Sequence, residues 1–438
     1  MSKHFYILAG TLLNPKPNKT IETTKNCYLE IKDGLIKSIF TDASLLDQSL
    51  TLENWSHLTL LPGLINGHCH LPMSLLKGKG DDQNLQVWLE KIIFPLEAKL
   101  VSPEFCQIGT QLSILEMIST GTTTVCDMYY FADTIAQTLI DAKMRSVVGE
   151  SVINFPVPDD LKKDGSNYKI LDRLRELSDT HSIMTPALAP HAPYTCSNEL
   201  LMEAHQYARQ HNLPITIHVS ETQKEVSDSK EQFNGLSPIE RLHDIGFMEG
   251  GIIIAHGVHL SQNDQKLIKD SDSSVIYNPE SNMKLGSGIA PIIDLMEKGI
   301  KVGLGTDGSA SNNDLNLITE MNTGSKLQKL FAKESSSMSA EKMIYLATLG
   351  GAEALRIEKT CGSIEPGKAA DIIALDLHSK AHTLPCHDPI STIVYSCQGN
   401  EVVHSLCQGE FLMKNNQFKT LNKNEVISNV KEYVEKNI

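Results

Sequence analysis

The chain has 438 residues, 41% of them hydrophobic and 21% charged, with a formal net charge of −14. That length is too great for one small core and points to a large barrel with a satellite domain, or to two or three domains. The composition excludes a collagen-like or disordered chain, and the acidic balance excludes non-specific attraction to nucleic acid or anionic membrane.

Residues 1–57 read as short strands, Tyr6–Ala9, Cys27–Ile31 and Leu35–Ile39, with Lys32-Asp33-Gly34 as a hairpin turn between the last two. This β unit is too small to be stable alone. From Leu58 strand-like runs alternate with helical patterns such as Cys106–Ser119, Asn198–His211, Pro238–Ile245 and Ile289–Lys298. The eight strand candidates are Leu58–His70, Thr122–Met128, Ser146–Ile153, Ile183–Pro190, Pro214–Ser220, Gly251–His256, Ser274–Asn278 and Lys301–Asp307. Eight such units over residues 58–355 predict a closed (β/α)8 TIM barrel, the α/β class. An open doubly wound sheet is the alternative, but no G-x-G-x-x-G turn supports it.

Residues 356–422 return to β character, with a turn at Gly362–Gly367 and strands at Asp371–Leu375, Ile393–Tyr395, Val402–Cys407 and Glu410–Met413. These are expected to join residues 1–57 in one small β-sandwich built from both ends of the chain. Residues 423–438 carry Val426, Val430 and Val434 at helical spacing, so a terminal amphipathic helix is expected. Nine cysteines occur singly and never as C-x-x-C, which favours buried thiols in a reducing compartment. No apolar stretch reaches membrane-spanning length, and a soluble cytoplasmic protein is expected.

Chemistry concentrates at strand ends. Leu61–Pro72 reads LPGLINGHCHLP, and residues i and i+2 of a strand share a side, so His68 and His70 converge while Cys69 faces away. Alone, H-x-H is a weak sign of a metal site. However, the fifth strand ends in His218-Val219-Ser220-Glu221, the sixth in His256 and the eighth in Asp307-Gly308. In a barrel the C-terminal strand ends form the reactive face. His68, His70, His218 and Asp307 thus offer three nitrogens and a carboxylate to one divalent ion, zinc by preference, with Fe2+ or Mn2+ also suited. Glu221 is placed to shuttle a proton, and His256 to polarise the attacked centre or steady a hydroxide. The competing readings are a solvated loop carboxylate for Glu221, a hydrogen-bonded core histidine for His256 and turn chemistry for Asp307. His205, His211, His243 and His259 are read as structural.

The segments PGLINGHCHLPMSLLKG, HVSETQKEV, AHGVHL, NPESNMKLGSG and LGTDGSASNNDL resemble the amidohydrolase superfamily, within it the 5-methylthioadenosine/S-adenosylhomocysteine deaminases, relatives of the triazine hydrolases. The likeness runs from about residue 6 to about residue 412. It implies that His68, His70, His218 and Asp307 bind the metal and that Glu221 protonates N1 of an adenine. It further implies attack at C6 by a hydroxide oriented by His256 and Asp307, with Asp307 passing the proton to departing ammonia. The carboxylated lysine of binuclear members has no counterpart, because Val148-Gly149-Glu150-Ser151 ends the third strand. The resemblance also places Trp88 against the sulfur side of the substrate, Glu97 on the ribose hydroxyls and His191 on the sugar and ring N3.

Relatives that favour S-adenosylhomocysteine carry arginines after the third strand. Here that strand ends at Glu150, an acidic residue that would repel the amino-acid carboxylate, and no arginine occurs between Arg145 and Arg173. Lys162 and Lys163 could substitute only as looser point charges, so 5-methylthioadenosine or adenosine is the expected substrate. The alternative is an aminohydrolase or chlorohydrolase of another heteroaromatic such as guanine, 8-oxoguanine or a triazine. A silent scaffold is disfavoured by the intact ligand set, and a nucleic-acid base deaminase by the missing H-x-E…P-C-x-x-C signature. A small-molecule nucleoside is the expected partner, with no nucleic acid or membrane. A homo-oligomer is the default assembly.

Overall fold

The computed structural model describes residues 4–159 and 166–438; Lys162 and Lys163 lie outside them. In chain order the strands are His4–Pro15 (β1), Ile21–Lys32 (β2), Leu35–Phe40 (β3), Thr51–Pro62 (β4), Leu64–Cys69 (β5), Thr122–Tyr129 (β6), Arg145–Val152 (β7) and Met184–Pro190 (β8). There follow Thr216–Val219 (β9), Ile253–His256 (β10), Ser274–Tyr277 (β11), Lys301–Leu304 (β12), Ile372–Leu375 (β13), Val402–Cys407 (β14), Glu410–Lys414 (β15) and Gln417–Phe418 (β16).

Strands β5–β8 and β9–β12 form two parallel four-stranded halves. One seam is joined by the Leu188·Ile215 bridge, the other by the Asp307 N–H donating to the His68 carbonyl at 2.9 Å. The (β/α)8 barrel is the architecture expected from the alternating pattern. Its interior holds Ile65, Cys126, Val147, Ala187, Ile253 and Ile276, while the outward faces meet the helices. Both faces of each strand are therefore buried, which is why the strands read as near-continuous apolar runs.

The terminal strands hydrogen-bond in the order β16-β15-β14-β13-β4-β1-β2-β3. This sheet encloses an apolar core of Ile7, Leu29, Trp55, Leu60, Ile372 and Leu406, contributed by both ends of the chain. It is the small discontinuous β-sandwich that was expected.

Two local readings need correction. The strand expected to run unbroken from Leu58 to His70 is divided at Gly63. Residues through Pro62 pair with β1 and β13 in the terminal sheet, and only Leu64 onward enters the barrel. At Gly63 the backbone passes so close to Thr123 that a Cβ would meet its Oγ1 at 2.0 Å. Residues Ile393–Tyr395, expected as a strand, end the helix Pro389–Tyr395. Asp388 caps that helix by accepting the Ile390 N–H, and Pro389 sits in its first turn, which outweighs the β-branched run. The terminal helix Lys423–Asn437 is present and packs on the helix Pro103–Ser119, with the Tyr433 hydroxyl donating to the Leu100 carbonyl. Among the described residues no helix is long and apolar enough to cross a membrane.

Candidate functional site

His68 in β5, His218 in β9, His256 at the end of β10, and His70 and Asp307 just beyond β5 and β12 meet at one mouth of the barrel. Ligand atoms of His68, His218, His256 and Asp307 all lie within 4.8 Å of one another. His70 joins them, with Nε2 3.2 Å from Asp307 Oδ1 and 3.3 Å from His218 Nε2. The strand ends bend sharply to achieve this. Ser220, His256 and Asp307 have φ of 55°, 72° and 63°, a left-handed region that is costly for such residues and recurs at functional sites.

The orientation of each ring follows from its outer partner. His70 Nδ1 faces the Met128 carbonyl at 2.5 Å, and His218 Nδ1 faces the His191 carbonyl at 2.6 Å. A carbonyl only accepts, so in both rings Nδ1 carries the proton and the neutral ring's Nε2 lone pair points inward. Two such lone pairs then face each other beside a carboxylate, an arrangement that calls for a cation between them. His68 is fully buried, and neither of its ring nitrogens has a hydrogen-bond partner. Burial alone would lower the His70 pKa, yet Asp307 raises it to about 9, so at neutral pH the inward lone pair takes up a proton unless a metal ion competes for it. Burial drives His218 well below the ordinary histidine value. Burial would raise Asp307, but the His68 and His70 imidazoles beside it, with Nε2 atoms 3.4 and 3.2 Å from Oδ1, hold it well below the carboxylate range. These donors fit a divalent metal.

Asp307 is held from several sides. Gly308 N–H donates to Oδ1 at 2.8 Å, and the Ser281 and Ser311 hydroxyls donate to Oδ2 at 2.6 and 2.9 Å. His256 Nδ1 donates to Asn282 Oδ1 at 2.8 Å, which turns Nε2 toward Glu221 (3.7 Å) and Asp307 (3.9 Å). Glu221 is buried, accepts from the Ser287 hydroxyl, and has its pKa raised, chiefly by burial.

Above this cluster opens a cavity of about 600 Å³, counted out to its mouth. Its floor is His70, His218, Glu221, His256 and Asp307, and Trp88, Glu97 and His191 all line its walls. Leu85, Leu89, Ile93 and Phe94 make one wall apolar. The Glu97 carboxylate accepts from the Tyr129 hydroxyl at 2.6 Å, and burial raises its pKa to about 7. Burial holds His191 neutral, at about 3.

Glu150 does not face this cavity. It is fully buried on the outward side of β7, where its Oε2 accepts the Ala132 N–H, and burial lifts its pKa well above the usual range. Side chains alternate along a strand, so Ser151 lines the cavity and its neighbour Glu150 points away. Repulsion of a substrate carboxylate by Glu150 is thereby withdrawn as a specificity argument. The reading from sequence also passed over Tyr129, Ser281, Asn282, Ser311 and Glu225. Glu225 accepts the Ser220 and Glu221 N–H groups at 2.8 Å each and fixes the turn that presents Glu221. His259, read as structural, binds the Ser287 carbonyl at 2.6 Å and so sits one residue from the site.

The sequence pattern of the amidohydrolase family matches residues 59–412. The chain belongs to that family. This amidohydrolase is 38% identical to a 5-methylthioadenosine/S-adenosylhomocysteine deaminase of Thermodesulfovibrio yellowstonii, over 98% of its own length and 97% of the relative's. It is 39% identical to a 5'-deoxyadenosine deaminase of Methanosphaera stadtmanae, over 93% and 94% of the two chains. Among solved structures it resembles a zinc-bound adenosine deaminase of Xanthomonas campestris, with a TM-score of 0.92, 31% identity, and coverage of 99% and 98%.

Proposed function

We propose that this amidohydrolase is a metal-dependent hydrolytic deaminase of adenine nucleosides, with 5-methylthioadenosine as preferred substrate and adenosine also accepted. The carrying observation is the convergence of His68, His70, His218 and Asp307 at the base of the cavity, with His256 in the same cluster and Glu221 beside it. His68, His70, His218 and Asp307 hold the ion, which we assign as zinc and which, once bound, lowers the pKa of a water there toward neutrality.

Glu221, whose pKa burial raises, donates a proton to N1 of the adenine and draws electron density from C6. His256 hydrogen-bonds the oxygen arriving at C6, its ring fixed by Asn282. Asp307 receives one proton of the water and passes it to the amino group, which leaves as ammonia, and the second water proton returns to Glu221 as the C6–oxygen bond becomes a carbonyl. One water enters, one ammonia departs, and the inosine derivative remains.

Glu97 accepts ribose hydroxyls, a role suited to a carboxylate already oriented by Tyr129. His191 reaches the sugar edge and ring N3, and Trp88 with its apolar neighbours covers the 5'-substituent. Among the described residues the cavity lining contains no lysine or arginine. A methylthio or deoxy 5'-group suits that wall, whereas the amino-acid carboxylate of S-adenosylhomocysteine meets no cation among these described lining residues. Comparison of kcat/KM across 5-methylthioadenosine, 5'-deoxyadenosine, adenosine, S-adenosylhomocysteine and guanine, with identification of the product, tests the reading. The nucleosides with uncharged 5'-groups are expected to lead and to give inosine derivatives. A lead for S-adenosylhomocysteine overturns the preference, and release of ammonia from guanine alone overturns the nucleoside assignment.

A further inference from the structure

We propose that Glu320, which touches neither cavity nor metal ligand, is a positioning residue that sets Asp307 and His256 through two short helices; the proposal rests on the deaminase reading above. Glu320 lies on the helix Leu317–Ala332 and is fully buried. One carboxyl oxygen accepts the Asn312 side-chain amide at 2.5 Å, and the other accepts the backbone N–H of Glu280 at 3.2 Å.

Each partner opens onto the site. Glu280 is in the first turn of the helix Pro279–Lys284, which carries Ser281, the donor to Asp307, and Asn282, the acceptor for His256. Asn312 ends the helix Ser309–Asn312, which carries Ser311, the second donor to Asp307 Oδ2. Asn312 also donates to the Thr306 carbonyl, next to Asp307 in the chain. The two helices are short and carry no side-chain cap of their own, so little within them fixes their angle. One buried carboxyl on a third helix ties both. A buried acidic residue with no partner of opposite charge is otherwise costly, and neutral packing would serve stability better. Its placement is accounted for by the three hydrogen bonds it aligns on the reacting groups.

The test uses E320M, E320Q and N312A in the full zinc-loaded chain, together with the Nδ1–H proton resonance of His256 in zinc-free protein. E320M removes both acceptors at similar volume and is expected to lower kcat about 10- to 100-fold, with KM changed less than about threefold. E320Q keeps the shape and one acceptor and is expected to recover most of that loss. The His256 resonance is expected to shift or broaden in E320M and to stay near its native position in E320Q. N312A, which cuts only one arm, is expected to be non-additive with S311A in kcat. That cycle stands if E320M does not fold. A folded E320M with native kcat, a kcat loss with an unmoved His256 resonance, or simple additivity of N312A and S311A overturns the proposal. The resonance is read without substrate, so absence of deaminase activity in the native chain would count against the deaminase reading and not against the positioning.

Discussion

Glu97 carries a pH signature that follows from its place in the cavity wall. Burial lifts its carboxyl to about 7. Ribose hydroxyls are donors and need the anion, so kcat/KM for nucleosides is expected to rise with pH through about 7 as Glu97 ionises. In E97Q that acid limb is expected to vanish and KM to increase. A native pH profile and native KM in E97Q would exclude ribose recognition by this residue. The same raised value has a stability consequence: the folded carboxyl holds its proton after the unfolded one, near 4.3, has lost it, so its contribution is fullest below about 4.3 and is lost as pH rises through about 7. Residue by residue, the floor of the site was legible because its chemistry sits at strand ends: His-x-His, His218, His256 and Asp307 share one end of four strands. Glu150 was misread because its position at a strand end was noted without its parity, and Ser151, on the inward parity, is the residue that reaches the cavity. Ser281, Asn282 and Ser311 gave no signal, since a serine or asparagine on a short helix looks the same whether it faces solvent or a carboxylate.

At the level of elements, His70 is held by the turn that follows it. The segment Leu71–Leu76 is clamped by the helix Pro103–Ser119, with the Ser113 hydroxyl donating to the Leu71 carbonyl and the Ser74 hydroxyl to the Gly109 carbonyl, each at 2.7 Å. Asp127 completes the clamp by accepting the Leu71 N–H at 2.7 Å. Gly109 allows the approach, because a Cβ there would meet the Pro72 oxygen at 2.5 Å and its Cα at 2.8 Å. Both atoms are backbone, so G109A must displace the turn that carries His70. Overpacking of this kind costs about 1–3 kcal/mol. G109A is therefore expected to lower the thermal midpoint and to lose zinc to a chelator faster than the native chain. Unchanged zinc retention would show that the turn does not govern His70. Most elements were readable from periodicity and turn residues, including the helix Asn198–His211 and the strand Val402–Cys407. The break at Gly63 was not, because one apolar run serves two sheets and nothing in its pattern marks the change of partner.

For the whole molecule, the barrel and the terminal sheet are pinned by one buried ion pair. Arg145 at the start of β7 grips Asp371 at 2.6 and 3.2 Å, and Asp371 also accepts the Gln408 N–H at 2.7 Å. The Asp371 carbonyl takes the Gly63 N–H at 3.0 Å, at the point where the chain crosses from sheet to barrel. Removing one partner strands the other charge, so R145M is expected to destabilise by about 3–5 kcal/mol in denaturant titration. R145M/D371L is expected to regain part of that loss; equal stability of R145M and the native chain would contradict the pin. The barrel itself was legible from β/α alternation, whereas the Arg145–Asp371 contact spans positions too distant for any local pattern to join.

Zinc titration of the chelated enzyme, with ammonia release from 5-methylthioadenosine as the readout, tests the proposed single-metal centre and its action on an adenine nucleoside most directly. Activity is expected to rise with added zinc and to level off at about one equivalent per chain, as four protein donors around one ion require. A plateau reached only at about two equivalents, full activity without metal, or no ammonia at any loading would contradict it.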